Sequence, residues 1–232
     1  MEITGREFEA VAAHAGPAYL RYSFTKGTAQ EVRFLVGALG LHPGDRVLDV
    51  GCGPGRHSHA LRQAGIDVVG LDISQSFLRL AGPGEWVRAD ARALPFVQES
   101  FDAAITLCQG GFGLLGGHDD AGVVAGMARV VRRGGRIALS AFSAYFAVRH
   151  PEEGETFDAD SGVNHERASV LDPSGRSADF DLWTTCFTPR ELRLIAAAAR
   201  VSPIGLWAVG PGDYAERPPD LDHPEFLLVG GV

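Results

Sequence analysis

Hydrophobic positions in this chain gather into short runs closed by glycines or acids, and the runs alternate with stretches of helical period. Val47-Leu48-Asp49-Val50, Asp67-Val68-Val69-Gly70-Leu71-Asp72, Phe101-Asp102-Ala103-Ala104-Ile105-Thr106-Leu107-Cys108-Gln109 and Gly135-Arg136-Ile137-Ala138-Leu139-Ser140 are nearly continuous apolar runs, the pattern of strands covered on both faces of a parallel sheet. Trp86-Val87-Arg88-Ala89-Asp90-Ala91 is a shorter one. A helix carrying Ala60, Leu61 and Ala64 and ended by Gly65 separates the first two, and another around Met127 to Arg132 precedes the last. Strand and helix in strict alternation predict an α/β domain with helices on both faces of a mostly parallel sheet.

The flanks are patterned differently. Thr28-Ala29-Gln30-Glu31 has the form of a capping box and is followed by Val32, Leu35, Val36 and Leu39 at helical spacing. Thr188-Pro189-Arg190-Glu191 repeats the form and leads into Leu192, Leu194 and Ile195. Residues 163–171 and 176–187 read as two extended runs around the turn Asp172-Pro173-Ser174-Gly175, hence a hairpin. Two closing strands follow at 204–209 and 226–230, joined by a proline-rich link over 211–224. The expected organisation is a helical arm over 1–41 and a single domain over 42–232, with a lid at about 143–187.

The most informative segment is Val47-Leu48-Asp49-Val50-Gly51-Cys52-Gly53-Pro54-Gly55-Arg56, a buried strand running into a glycine turn that opens a helix. Such a turn lets backbone approach a ligand while the helix aims its free N–H groups at it. A dinucleotide fingerprint would place glycine where Arg56 stands, and Pro54 removes one N–H. The chain has no G-x-x-x-x-G-K-[ST] segment, and its single lysine, Lys26, lies upstream. Asp49 repels phosphate and suits an ammonium group. Asp72, about twenty residues past the loop, is placed to accept both protons of a ribose diol.

The pattern D-x-G-x-G-x-G over Asp49 to Gly55 resembles motif I of the class I S-adenosylmethionine-dependent methyltransferases, and the later strands and acids follow at the spacing of that family. The resemblance implies a Rossmann-like fold with a seven-stranded, mostly parallel sheet. It also implies S-adenosylmethionine as methyl donor, S-adenosylhomocysteine as product, and a small-molecule methyl acceptor. It assigns cofactor binding to Asp49, Gly51, Gly53, Gly55, Asp72, Ile73, Asp90, Ala91, Cys108 and Gln109, with Asp90 accepting a hydrogen bond from the adenine amino group. In small-molecule members an aromatic residue of the N-terminal arm often closes over the sulfonium, and Tyr22 is the candidate here.

The lid then shapes the acceptor pocket, for which Phe112, Tyr145, His150, His165 and Trp183 are the candidates. An imidazole in the lid can take a proton near neutral pH. No general base is identified. Cys108-Gln109-Gly110-Gly111 stands where members acting on planar exocyclic nitrogens carry [DN]-P-P-[FY], which argues against methylation of bases or glutamine amides. His57 and His59, two apart on the helix after the loop, read as packing residues. His118-Asp119-Asp120 reads as the acidic opening of a helix, so no metal is expected.

Bulk properties narrow the partners. A net charge of −8 on 232 residues and a pI near 5.4 argue against a nucleic-acid footprint. Three cysteines without a C-x-x-C pair fit a reducing cytoplasm and no structural zinc. Met1 to Arg6 lack the character of a secretory leader, and no apolar run approaches a membrane span. The expectation is a cytoplasmic monomer or homodimer. The other readings are an S-adenosylmethionine-binding enzyme that does not methylate, such as a cyclase, and a catalytically silent binding subunit.

Overall fold

The computed structural model describes residues 7–114, 116 and 118–232; Met1 to Arg6, read above as lacking a leader, lie outside them. Among the described residues ten strands form one connected sheet, and seven of them make up its main body. Five are parallel: β1 (Arg46–Val50), β2 (Asp67–Asp72), β3 (Glu85–Arg88), β4 (Phe101–Thr106) and β5 (Val131–Ser143), in the order β3-β2-β1-β4-β5. Helices α1 (Glu7–Ala15), α2 (Thr28–Leu39), α3 (Arg56–Gln63), α4 (Gln75–Leu80), α5 (Asp120–Val130), α6 (Ala144–Arg149) and α7 (Pro189–Ala198) fill the connections. Strand β6 (Thr156–Asp158), the long pair β7 (Val163–Leu171) and β8 (Ser177–Phe187), and the closing strands β9 (Ser202–Val209) and β10 (Glu225–Gly231) complete the chain. β10 lies antiparallel between β5 and β9.

The period of two in the apolar runs explains the two cores. Leu48, Val50, Ala104, Ile137, Leu139, Phe226 and Leu228 face α5 and α7 in one core. Their neighbours Val47, Ala103, Ile105, Ala138, Leu227 and Val229 face α2 and α3 in the other. Alternation of this kind is what a sheet covered on both sides requires.

Two local readings need correction. Thr28 does not cap α2: the N-cap is Gly27, Thr28 donates to the Thr25 carbonyl at 2.9 Å, and Glu31 turns inward instead. The α5 helix ends at Val130, because the chain has already entered β5 at Val131. Thr188 does form its capping box with Glu191. The 163–187 hairpin is present as β7 and β8, joined by β6, and β8 meets β5 only at Phe142–Cys186 and Ser143–Phe187. It therefore rises from the C-terminal edge of β5, where ligands bind in open α/β sheets.

The arm is fastened at both ends. In α1, Val11 and Ala15 pack with Val170 of the hairpin, and His14 Nε2 lies 3.1 Å from the Val170 carbonyl. In α2, Val32, Leu35 and Leu39 are buried against the sheet, each contributing about 1.5–3 kcal/mol.

Candidate active site

The glycine loop leaves β1 with Gly51, Gly53 and Gly55 all at positive φ, 70°, 52° and 77°. Their reasons differ. A Cβ on Gly51 would overlap the Gly110 backbone, and one on Gly55 would strike the Trp86 ring, so these two are set by packing. A Cβ on Gly53 meets nothing within 4 Å. Open space above a left-handed backbone is the form of a cradle for a ligand. The loop is tied down by the Leu71 carbonyl, which accepts from Gly51 and Cys52 at 2.7 and 2.9 Å.

Asp72 ends β2 beside this loop. Its Oδ2 accepts the Gly53 N–H and its Oδ1 the Ser74 N–H, both at 2.7 Å. Ser74 caps α4, its Oγ accepting the Phe77 N–H at 3.2 Å. Burial raises the Asp72 carboxyl to about 6, against the opposing effect of the two N–H donors. Each oxygen retains a lone pair for a further donor.

Asp72, Gly51, Ile73, Asp90 and Ala91 line one small hollow of about 40 Å³, together with Gly110, Gly111 and Leu114. Asp90 is gripped there by Arg92, whose Nη2 lies 2.6 Å from Oδ2. Asp49 does not reach this hollow. It is 2% exposed beneath the loop, Ser58 donates to its Oδ2 at 2.6 Å, and burial raises its pKa.

A second, larger cavity of about 480 Å³ lies between the arm, the lid and the sheet edge, and Tyr22, Cys108, Gln109 and His150 line it. Cys108 and Gln109 follow β4 at φ 50° and 58°, a left-handed turn that costs about 1–2 kcal/mol per residue. The Cys108 N–H is held by Ser140 Oγ at 2.8 Å. Tyr22 stacks with Phe24 and accepts the Leu171 N–H through its hydroxyl at 3.2 Å.

Four expected pocket residues do not line this cavity. Phe112 is 1% exposed and stacks on Phe187 with ring centres 4.7 Å apart, because the loop is drawn under β8 by the Thr185–Gly113 hydrogen bond. Tyr145 lines a separate outer hollow. His165 and Trp183 pair with each other, and His165 Nε2 lies 2.9 Å from Asp181. Their strand alternation turns them away from the arm. Asp120 opens α5 and accepts the Gly113 N–H at 2.8 Å.

Sequence reasoning missed a buried network behind the cavity. Glu31 accepts from Arg56 at 2.8 Å, from His57 at 2.7 Å and from the Gly212 N–H at 2.8 Å. Arg56 also donates to Cys108 Sγ at 2.7 Å. His57 thus joins the arm to α3, while His59 contacts the Ala81 carbonyl at 2.7 Å. It missed Glu225 as well, whose one signal is an acid heading a buried strand directly after Pro224.

Residues 48–139, which hold the loop, Asp72, Asp90 and the turn at Cys108, match the methyltransferase-domain family. That stretch, less than half of the 232 residues, is what the family model covers. A demethylmenaquinone methyltransferase of Renibacterium salmoninarum is 39% identical to the chain over 115 residues, which is 48% of this chain and 47% of that protein. The chain spans about half the length of that curated relative.

Solved structures extend the likeness beyond residues 48–139. The CcbJ methyltransferase of Streptomyces caelestis superposes with a TM-score of 0.74 at 18% identity, over 88% of this chain and 89% of that one. The Burkholderia thailandensis 1,6-didemethyltoxoflavin-N1-methyltransferase, solved with 1,6-didemethyltoxoflavin and S-adenosylhomocysteine, gives 0.59 at 18% identity, over 98% and 87%. At these identities the likeness is one of fold. Among the described residues no helix is long and apolar enough to cross a membrane.

Proposed function

We propose that this chain is an S-adenosylmethionine-dependent methyltransferase that methylates an oxygen, nitrogen or carbon nucleophile of a small organic molecule. One observation carries the reading. The consecutive residues Gly110 and Gln109 line the small hollow and the large cavity respectively, so a ligand anchored at Asp72 presents its far end to the cavity.

The residues fit the cofactor. Asp72 is placed to accept the ribose hydroxyls, Ile73, Ala91 and Leu114 form apolar walls suited to a purine, and Asp90 stands at its rim. Gly53 leaves open space for the amino-acid portion. S-adenosylmethionine supplies, when bound, an electrophilic methyl group on sulfur. The protein's work is then alignment and exclusion of water, which supply much of the rate of an in-line displacement. Tyr22 and Gln109 border the cavity where the acceptor would lie. Similarity to a demethylmenaquinone methyltransferase supports a small acceptor over a polymer.

Parallel calorimetric titrations with S-adenosylmethionine, S-adenosylhomocysteine and NAD test this. Binding of the first two near micromolar, about −8 kcal/mol, and none of NAD, is expected. Failure of both sulfur ligands to bind overturns the reading.

A further inference from the structure

The large cavity is one-sided in charge. Glu152, Glu155, Glu166 and Glu225 line it, and among the described residues no lysine or arginine does. His150, the one basic residue among the described lining, lies 3.6 Å from Asp222. None of the four glutamates forms an ion pair within 4.0 Å among the described residues. Aromatic side chains, among them Tyr19, Tyr22, Phe24, Phe142 and Phe146, share the wall with aliphatic and neutral polar residues.

Glu225 is the decisive member. It is 4% exposed, and its Oε2 has no hydrogen-bond partner among the described residues. It opens β10 opposite Phe142 of β5, which brings it to the sheet edge below the cavity. An unpartnered carboxylate oxygen in a buried position is costly unless a ligand completes it.

Resting on the methyltransferase reading above, we infer that the acceptor is an organic amine with an apolar body, bound as its ammonium in this acidic aromatic cavity, and that Glu225 takes the proton that frees its nitrogen. Rings attract a cation over their faces and the glutamates match its charge. An ammonium has no lone pair with which to attack carbon. The Glu225 carboxylate accepts one N–H proton and becomes a carboxylic acid. The nitrogen lone pair then forms the N–CH3 bond as the S–CH3 bond breaks, its electron pair remaining on sulfur, and the product carries the positive charge. Loss of that proton to solvent from Glu225 completes the cycle.

Burial, partly offset by the neighbouring Ser140 hydroxyl, raises the Glu225 carboxyl to about 7, close to ideal for a proton acceptor at neutral pH. The groups facing it are Glu31 and Arg56 of α2 and α3, Cys108 of the turn after β4, Ser140 of β5 and Tyr214 of the proline-rich link. Across the cavity are Glu152, Glu155, Glu166 and His150 of the lid. Burial and its neighbours Glu155 and Glu152 also raise the Glu166 carboxyl.

The test uses phenethylamine, phenethyl alcohol and phenylacetate as isosteric probes, titrated calorimetrically into the full chain with S-adenosylhomocysteine present. The amine should bind at least about tenfold more tightly than the alcohol, in the range set by one hydrogen bond to a charged group, and phenylacetate should not bind. Glu225→Gln should abolish that preference, keep S-adenosylhomocysteine affinity, and flatten the rise of kcat/KM with pH around 7. Glu166→Gln, on the half-buried face of the hairpin, should weaken the amine alone and serves if the first variant does not fold. S-adenosylhomocysteine binding with no preference for the amine, or an unchanged pH profile in Glu225→Gln, overturns the inference and leaves the methyltransferase reading intact. Absence of S-adenosylhomocysteine binding overturns both.

Discussion

Glu31 and Arg56 form a buried ion pair, Oε2 to Nη1 at 2.8 Å, that fastens the arm to the residue directly after the glycine loop. His57 and the Gly212 N–H share the same carboxylate. Removing one partner of such a pair strands the other charge away from water. Glu31→Ala is expected to lower unfolding free energy by about 3–5 kcal/mol, read as a shift of the urea midpoint at unchanged slope. A loss below about 1 kcal/mol, the range of exposed pairs, would show that the pair is solvated.

Asp72→Ala should weaken S-adenosylmethionine by about 1.5–3 kcal/mol, the range for a hydrogen bond to a charged group. Circular dichroism and thermal unfolding should show the fold retained. Unchanged affinity removes Asp72 from the ribose site.

The same carboxylate gives cofactor affinity a pH dependence. Burial raises the folded-state pKa of Asp72 to about 6, so the group is ionised above that value and neutral below it. The ionised form is the better acceptor for ribose hydroxyls. Affinity for S-adenosylhomocysteine should therefore be level at pH 8 and fall below about 6, by at most one decade per pH unit. Titrations that are flat from pH 8 to 5 would contradict the assignment.

The three glycines of the loop should separate by phenotype. Gly51→Ala places a Cβ into the Gly110 backbone, so the protein should lose stability whether or not cofactor is added. Gly53→Ala meets open space and should cost only the left-handed strain, about 1–2 kcal/mol, and Gly53→Val should block the cofactor. Thermal melts with and without S-adenosylhomocysteine measure both. If Gly53→Val keeps its ligand-induced stabilisation, the loop does not hold the cofactor.

What could be read in the chain was what local pattern determines. Val47 to Val50 and Phe226 to Val229 show both sheet faces through their alternation, and Thr188 with Glu191 announces a helix start within four residues. The same capping signal failed at Thr28, because Glu31 gains more from Arg56 and His57, 25 and 26 residues away. Long-range partners of this kind leave no trace in spacing. Aromatic character alone misplaced Phe112 and Trp183 for a related reason: which face a ring takes depends on strand pairing, and the Thr185–Gly113 bond that buries Phe112 joins segments 72 positions apart in sequence. Glu225 left only the faint signal of an acid heading a buried strand, because its importance lies in a partner it lacks among the described residues.

The most direct test of this account is a crystal structure of the protein grown with S-adenosylhomocysteine. The account predicts ribose oxygens within hydrogen-bonding distance of Asp72, the purine between Ile73 and Leu114, and the sulfur facing the cavity bordered by Tyr22 and Gln109. S-adenosylhomocysteine bound elsewhere, or bound at Asp72 with its sulfur turned away from that cavity, would contradict it.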